Sequence, residues 1–242
     1  MDMIRARHEA VIVEPEGYPL LARYGIDCPQ YAVVDSADDV ALVDLTSFPG
    51  ERVVVKIASA SILHRSDVKG VAVVASDAEA IAACVAEMGA RLDPQGLARF
   101  TINEFVPHAS EPGHQLLYGL RWTADFGAVV VVAPGGIHAE FWARALPAGD
   151  TLAMFPVDGV PRAAIEARLA QLPLVRLITE PQRGQPAPCS VGALADVVAS
   201  LFGVSGSGAI FWRVVGGNPD RLLVSANTYN RVDVVQRYGQ QI

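Results

Sequence analysis

In the first hundred residues, the hydrophobic positions follow two different periods. Apolar residues at helical spacing predict three helices: EPEGYPLLARY at about residues 15–24, ADDVALVDL capped by Ser36, and DAEAIAACVAEMGARL opened by Ser76. Continuous apolar runs predict three strands, CPQYAVV, ERVVVKIAS and SDVKGVAVVA. This mixture of helices and strands predicts an α+β lobe.

The second part of the chain is richer in predicted strands. FTINEFV, HQLLYGLRW, FGAVVVVA and GGIHAEFWARAL follow one another with short polar gaps, which predicts an antiparallel meander. Helices are expected at about 161–171 and 191–203, and a final hairpin is expected to join GAIFWRVV to RLLVSANTYNRV around GGNPD. The predicted fold class is α+β in two lobes, residues 1–103 and 104–242.

Composition narrows the range of partners. The net charge of −7 argues against nucleic acid or an anionic membrane, because both need a cationic face. No apolar run approaches the roughly 20 residues of a membrane helix, and the first residues lack a signal-peptide profile. The three cysteines are far apart and show no disulfide or metal pattern. We expect a cytoplasmic protein, whose ligand can still be a small anion.

Lys56 is the first unusual residue. The chain has 19 basic residues, and two of them are lysines, Lys56 and Lys69. Lys56 lies inside VVVKI, where an ammonium needs an anionic partner or a route to water. Two interpretations stay open: a lysine on an edge strand that reaches solvent, or a lysine that binds phosphate at the mouth of a cleft.

Other polar residues stand beside apolar segments. The segment HRSD, from His64 to Asp67, lies between two predicted strands, which fits a solvated hairpin tip as well as a site. Glu104 ends a strand where the two lobes would join. Glu140 follows the glycine pair of APGGIHAE, and Arg183 lies in the loop EPQRGQP. Tight turns and solvated loops explain these features equally, so spacing alone suggests an anion site and no reaction.

Taken in order, these segments resemble a known family. They follow the order found in the ATP-grasp subunit of ADP-forming acyl-CoA synthetases, within the succinyl-CoA synthetase superfamily. The matching pieces are LLARYGIDCP, VVVKIASASILHRSDVKGV, INEFVPH, GHQLLYGLR, DFGAVVVVAPGGIHAEF and QRGQPAP, which span nearly the whole chain. The second piece is the most specific, since the family has a lysine-bearing strand followed by a His-Lys-Ser-Asp segment and a Gly-Gly-Val.

The resemblance implies two α+β lobes with ATP or ADP in a cleft between them, and a CoA-binding subunit on a separate chain. The family reaction converts acyl-CoA, ADP and phosphate reversibly into the acid, CoA and ATP through a phosphohistidine relay. Carried over by position, the catalytic residues are His64 and Asp67. The residues expected to bind the nucleotide are Lys56, Glu104, Gln115, Glu140 and Arg183.

The sequence departs from the family at the expected metal ligands. Phosphoryl transfer needs a divalent metal with hard oxygen ligands, which the family takes from a Glu-x-Asn-Pro strand and an Asp on the next strand. Aligned by strand, Phe211 and Arg213 replace the Glu and the Asn, and Ser225 replaces the Asp. Alternatively, Asn218-Pro219 in the turn GGNPD is the family's Asn-Pro. Magnesium is therefore expected with altered ligands, and no protein ligand to it is predicted.

Three hypotheses follow from this pattern. The leading one is an ATP-binding subunit of an ADP-forming acyl-CoA synthetase, within a homo- or hetero-oligomer. The second is a catalytically degenerate subunit that keeps the fold as a nucleotide-binding or scaffolding partner, which further changes at Gln115, Lys69, Arg144 and Cys189 favour. The third uses the lobes with another acyl acceptor, as carboxylate–amine ligases do, although the HRSD segment favours the thioester branch.

Overall fold

The computed structural model of the chain describes residues 13–59, 61–62, 65–107, 115–123, 125–136, 138–204, 211–215 and 223–226. The predictions for His64 and for the turn GGNPD, including Asn218-Pro219, lie outside the described residues. The chain divides into two compact units. The four-stranded unit contains residues 13–16 and Pro29–Val106, and the five-stranded unit contains Gly17–Cys28 and Pro107–Ile242. The lobe boundary at residues 103 and 104 stays a prediction.

Helix α1 (Glu14–Arg23) begins the described part of the chain. Its first turn carries two acids, Glu14 and Glu16, where the helix dipole favours negative charge. The helix ends before Gly25, whose φ of +74° suits a residue without a side chain. The division between the two units falls within this helix, after Glu16.

An antiparallel sheet forms the centre of the four-stranded unit. Its strands are β1 (Tyr31–Val34), β2 (Arg52–Ala58), β3 (Val71–Ala75) and β4 (Arg99–Glu104), in the order β1-β4-β2-β3. β2 therefore lies inside the sheet, paired with β4 on one side and β3 on the other. The β-branched run VVVKI suits this doubly paired position.

One face of the sheet packs against helix α2 (Ala78–Leu92). Asp77 caps this helix, since its carboxylate accepts a hydrogen bond from Ala80 N at 2.8 Å. Buried residues recur on α2 at helical spacing and meet alternate residues of the strands. The resulting core includes Val53, Val55, Ile57, Ile81, Val85, Met88, Phe100 and Ile102.

The five-stranded unit has a second antiparallel sheet. Its strands are β5 (Gln115–Thr123), β6 (Gly127–Pro134), β7 (Ala153–Pro156), β8 (Phe211–Val215) and β9 (Leu223–Ala226), in the order β7-β6-β5-β8-β9. Its helices are α3 (Ala139–Ala145), α4 (Ala148–Thr151), α5 (Arg162–Leu169), α6 (Pro173–Thr179) and α7 (Val191–Val204). α7 packs against α5 and β6. Within the described residues, every helix is too short or too polar to span a bilayer.

Both units combine helices with antiparallel sheets, which confirms the predicted α+β class. The final hairpin is present as the antiparallel pair β8 and β9. The sequence analysis missed the helices α4 and α6 and the short strand β7, which are all only four to seven residues long. Elements of this length carry too few residues for a period to show.

Two predicted elements and one predicted helix cap were wrong. ADDVALVDL was predicted as one helix but lies in two 3-10 helices, Asp38–Leu42 and Leu45–Ser47. The second helix begins separately because Asp44 caps it, accepting a hydrogen bond from Thr46 N at 3.0 Å. GGIHAEFWARAL is not a strand but contains helix α3, as its alanines, glutamate and arginine favour. The cap of α2 is Asp77 and not Ser76.

Candidate functional site

The two faces of β2 carry different side chains. Val53, Val55 and Ile57 face the core, so Lys56 points to the opposite face of the sheet, because neighbouring residues of a strand alternate. Lys56 is only 9% exposed, although it does not lie on an edge strand. The interpretation of Lys56 as an edge-strand lysine is therefore wrong, since its strand is paired on both sides.

Lys56 has the anionic partner that a buried ammonium needs. Its Nζ donates to Oε1 of Glu14 at 2.6 Å, and the Glu14 side chain is fully buried. The other carboxylate oxygen, Oε2, forms an ion pair with Arg65 Nη1. Arg65 is itself buried and donates from Nη1 to the Ile57 carbonyl at 3.4 Å. One carboxylate thus holds two cations, one from β2 and one from the turn that follows it.

Two residues of β4 that share the Lys56 face of the sheet are also polar and buried. Thr101 of β4 pairs with Lys56 and is 0% exposed, and Asn103 pairs with Val54 and is 1% exposed. We call Lys56, Thr101 and Asn103 the polar face. Among the described residues, no group hydrogen-bonds to Thr101 Oγ1. A buried hydroxyl without a partner costs roughly 1–3 kcal/mol, so this position calls for an explanation.

The turn after Arg65 is held from several sides. Gly70 N donates to the Arg65 carbonyl at 2.6 Å, and Ile57 N donates to the Gly70 carbonyl at 3.0 Å. Arg91 of α2 donates to two carbonyls of the same turn, Val68 O at 2.5 Å and Lys69 O at 2.8 Å. These bonds fix the backbone of residues 65–70, which includes the predicted catalytic residue Asp67.

The side chain of Asp67 is exposed at this turn. Lys69, also exposed, adopts a φ of +53°, and Gly70 follows it. A Cβ added at Gly70 would lie 2.8 Å from Ile57 Cγ2 and 3.2 Å from the Arg65 carbonyl oxygen. Gly70 is therefore needed for the turn to approach the core strand closely.

Glu104, expected beside the nucleotide, bonds to its own sheet. Its Oε2 accepts from Gln30 N at 3.0 Å, and its backbone N donates to the Gln30 carbonyl at 2.8 Å. Val53 is its partner on β2, so the Glu104 side chain lies on the face opposite Lys56. The carboxylate thereby extends the β1–β4 pairing by one step and fixes the backbone at the end of β4.

Gln115 lies next to the glycine pair that ends β6. Gly135 N donates to the Gln115 carbonyl at 2.8 Å, and a Cβ at Gly136 would lie 2.5 Å from Gln115 Oε1. Gly136 has a φ of +78°, so this turn needs glycine both for its backbone and for space. Gln115 Oε1 is buried without a hydrogen bond from the described residues. Here the glycine turn and the polar side chain form one packed unit.

The remaining predicted residues are on the surface of the five-stranded unit. Glu140 is exposed in the first turn of α3. Arg183 is exposed in a two-residue turn between Gln182 and Gln185, with a φ of +46°. No ion pair involving Glu140 or Arg183 occurs in the described part of the chain. The described contacts bring Lys56 and the turn at residues 65–70 together through Glu14.

The positions aligned with the family's metal ligands lie on β8 and β9. Arg213 pairs directly with Ser225 across these strands, and Phe211 pairs with Gly119 of β5. In the described residues, no three His, Cys, Asp or Glu side chains are grouped to hold a metal ion.

Cys189 also aligns with a family acid, and its surroundings make it unreactive. Burial raises the pKa of the Cys189 thiol to about 11, and its Sγ donates to the Ile178 carbonyl at 3.5 Å. Nearby, burial raises the pKa of Tyr118 well above its usual range, and its hydroxyl donates to the Leu194 carbonyl at 3.3 Å. Both groups stay protonated at neutral pH and act as packed donors.

A sequence model of the ATP-grasp domain family matches residues 3–203. The chain belongs to the ATP-grasp family. Its homologues include acetate–CoA ligase [ADP-forming] I of Archaeoglobus fulgidus, 27% identical over 53% of this chain and 18% of that protein. They also include the beta subunit of acetate–CoA ligase [ADP-forming] I of Pyrococcus furiosus, 30% identical over 53% of this chain and 55% of that subunit.

The matches therefore span about half of one curated relative and about a fifth of the other. Solved structures agree on the ATP-grasp fold over nearly the whole chain. A Pyrococcus horikoshii protein has a TM-score of 0.70 at 16% identity, covering 94% of this chain and 95% of its own. Candidatus Korarchaeum cryptofilum ACD1, solved with coenzyme A, has a TM-score of 0.70 at 20% identity, covering 93% and 96%.

The sequence analysis missed Glu14, Thr101, Asn103 and Arg91. Glu14 stands 42 residues before Lys56, and an acid opening a helix is normally explained by the helix dipole. Thr101 and Asn103 carry a usable signal, because residues 100–103, FTIN, alternate apolar with polar side chains although all four are buried. Arg91 gave no signal, since a basic residue in the last turn of a helix is ordinary.

Proposed function

We propose that this chain is the nucleotide-binding part of an ADP-forming acyl-CoA synthetase, and that Lys56 binds the phosphates of ATP or ADP. Membership of the ATP-grasp family and the homologous acetate–CoA ligases support the reaction class. The observation that carries the proposal is Lys56 itself, a buried lysine on an internal strand, held by Glu14 beside a second cation.

The chemistry of the polar face fits a phosphate. An ammonium donates hydrogen bonds, as Lys56 does to Glu14, and phosphate oxygens accept such bonds. Two cations, Lys56 and Arg65, form ion pairs with the same carboxylate, and positive side chains favour an anion nearby. The Thr101 hydroxyl, buried without a partner among the described residues, is a neutral donor on the same face. Hydrogen bonds from these groups to a charged phosphate oxygen are about twice as strong as hydrogen bonds between neutral groups.

The other predicted residues have supporting roles in this proposal. Glu104 fixes the end of β4, so that neighbouring backbone groups can bind the adenine. We expect the glycine turn beside Gln115 to present backbone N–H groups to the nucleotide. We expect Glu140 and Arg183 to contact the nucleotide once it has bound. His64 and Asp67 carry the phosphoryl transfer with a phosphohistidine segment of the partner. These assignments come from the family resemblance.

Magnesium fits the described residues less well than the nucleotide does. The ion prefers an octahedron of hard oxygen ligands, and the described residues contain no group of acids that supplies one. We therefore expect magnesium to arrive with the nucleotide, held by phosphate oxygens and water. We assign no step to a metal ion held by the protein.

A CoA-binding subunit on a separate chain completes the proposed enzyme. The Pyrococcus furiosus relative is named a beta subunit, which supports a division of the reaction between chains. We propose that the partner carries the coenzyme A site, that both chains work in the cytoplasm, and that the acid substrate binds mainly to the partner.

Calorimetric titration of the purified chain with ADP and with ATP, each with and without magnesium, tests the proposal. We expect micromolar binding of both nucleotides, tighter with magnesium. Adding the CoA-binding subunit, acetyl-CoA and phosphate should then yield ATP from ADP. A folded chain that binds neither nucleotide would contradict the proposed function, and binding without turnover in the assembled complex would contradict the synthetase activity.

A further inference from the structure

Glu14 is the most deeply buried charged residue near the polar face. Its side chain is 0% exposed, and its two oxygens contact Lys56 and Arg65. Lys56 comes from the middle of β2, whereas Arg65 begins the turn that leads to Asp67. The carboxylate therefore joins two parts of the candidate site that are nine residues apart in the chain.

The carboxylate also makes this arrangement of cations favourable. Two buried cations close together repel each other, and removing the shared anion would take an ion pair away from each of them. The first turn of α1 adds the positive end of a helix dipole beside the Glu14 carboxylate, which favours its negative charge. The carboxylate in turn holds both Lys56 and Arg65 fixed in direction.

We propose that Glu14 is a positioning residue for nucleotide binding, which acts through Lys56 and Arg65 without touching the nucleotide. The inference rests on the proposed function of Lys56. It differs from simple competition, in which Glu14 would occupy the place of a phosphate and weaken nucleotide binding. The fully buried carboxylate favours positioning, because an anion held by a helix end and by two cations has no exposed position to move to.

A double-mutant cycle on ADP affinity tests this inference. Glu14→Gln keeps the size of the side chain and removes its charge, and we expect the Kd for ADP to rise about tenfold. Lys56→Met should raise it by more. In the Lys56→Met background, Glu14→Gln should raise the Kd by clearly less than tenfold, because only the route through Arg65 remains.

Glu16→Gln is the matched control. Glu16 lies in the same helical turn and pairs with Arg99 at 3.3 Å, but its side chain is 53% exposed. Its replacement should leave the Kd for ADP unchanged. If Glu14→Gln lowers the Kd, Glu14 competes with the phosphate. If its effect is the same with and without Lys56, it acts by another route. Either result overturns the positioning role.

A second variant keeps the test decisive if Glu14→Gln does not fold. Glu14→Asp keeps the charge but shortens the side chain, so the Kd should rise by about threefold, with the fold checked by circular dichroism. An unchanged Kd in folded Glu14→Asp would overturn the role. Absence of ADP binding by the wild-type chain would instead refute the proposed function, and the same cycle measured on urea unfolding would still report the Glu14–Lys56 coupling.

Discussion

The two faces of the four-stranded sheet differ along its two central strands, β4 and β2. On one face, Val53, Val55 and Ile57 pack against α2 with no polar atom among their side chains. On the other, Lys56, Thr101 and Asn103 are buried, whereas Val33 and Val73 on the outer strands of that face are exposed. Burial of the first face stabilises the fold through the hydrophobic effect, by about 25 cal/mol for each Å² of apolar surface removed from water. The second face must offset the desolvation of its polar groups through ion pairs and hydrogen bonds.

This difference separates the residues that stabilise the sheet from the residues that we propose bind the nucleotide. A hydrocarbon face needs no explanation beyond packing. Buried polar side chains cost free energy, and Lys56 has the buried acid Glu14 as an ion-pair partner. Such an arrangement is expected where the polar groups bind a ligand, and perturbing each face should therefore have separate consequences for stability and for nucleotide binding.

The largest effect is expected from truncating the apolar face. Ile57→Ala removes a fully buried side chain, and the free energy of unfolding should fall by about 3 kcal/mol through lost burial and a residual cavity. Urea denaturation measures the loss. ADP affinity of the protein that remains folded should equal that of the wild type. A large change in ADP affinity would contradict the separation between the faces.

Lys56→Met should affect nucleotide binding more than any change on the apolar face. Removing the ammonium should cost about 2 kcal/mol of ADP binding, or roughly thirtyfold in Kd. Lys69→Met is the matched control, because Lys69 is the other lysine and is exposed at the nearby turn. Calorimetry with both variants should show weaker binding for Lys56→Met alone. Equal affinities would contradict the assignment.

Thr101→Val should change stability and binding in opposite directions. Valine has nearly the same shape and removes a buried hydroxyl that lacks a partner among the described residues, so the free energy of unfolding should rise by about 1 kcal/mol without nucleotide. If that hydroxyl donates to the ligand, the Kd for ADP should rise a few-fold. A variant that is more stable and binds ADP normally would remove Thr101 from the site.

The smallest effect concerns Cys84 on α2 and Cys189, which carry no proposed role. Burial raises the pKa of Cys84, with a further contribution from Glu87, and burial raises the pKa of Cys189 to about 11. A raised pKa means less thiolate, so alkylation at pH 8 should be slower than for a free thiol. The Cys189 rate should keep rising with pH until about 11. Fast labelling of either thiol at pH 8, read by mass spectrometry, would contradict its burial.

The sequence predicted the parts of the fold with long, regular patterns. The strands VVVKI and GAVVVVA and the helix with Ile81, Val85 and Met88 all appear. GGIHAEFWARAL was misassigned, because a short helix after a glycine turn shows too few turns for a helical period to be clear. The prediction of one helix over ADDVALVDL failed for a similar reason, since the cap at Asp44 divides that segment into two short 3-10 helices.

The candidate site was predictable only in part. Lys56 was identifiable because a lone lysine in an apolar run needs a partner, and the requirement for an anion was correct. Its partner could not be predicted, since Glu14 is 42 residues away and is brought there only by the fold. The position of β2 inside the sheet, which excludes an edge lysine, likewise depends on long-range pairing.

Lysine acylation with and without ADP tests the central claim most directly, because the chain has only two lysines. Buried Lys56 should react more slowly than exposed Lys69, with each site quantified by mass spectrometry. Saturating ADP should slow acylation of Lys56 by about tenfold further and leave Lys69 unchanged. If ADP binds and the Lys56 rate does not change, or if both lysines are slowed equally, the polar face does not bind the phosphates.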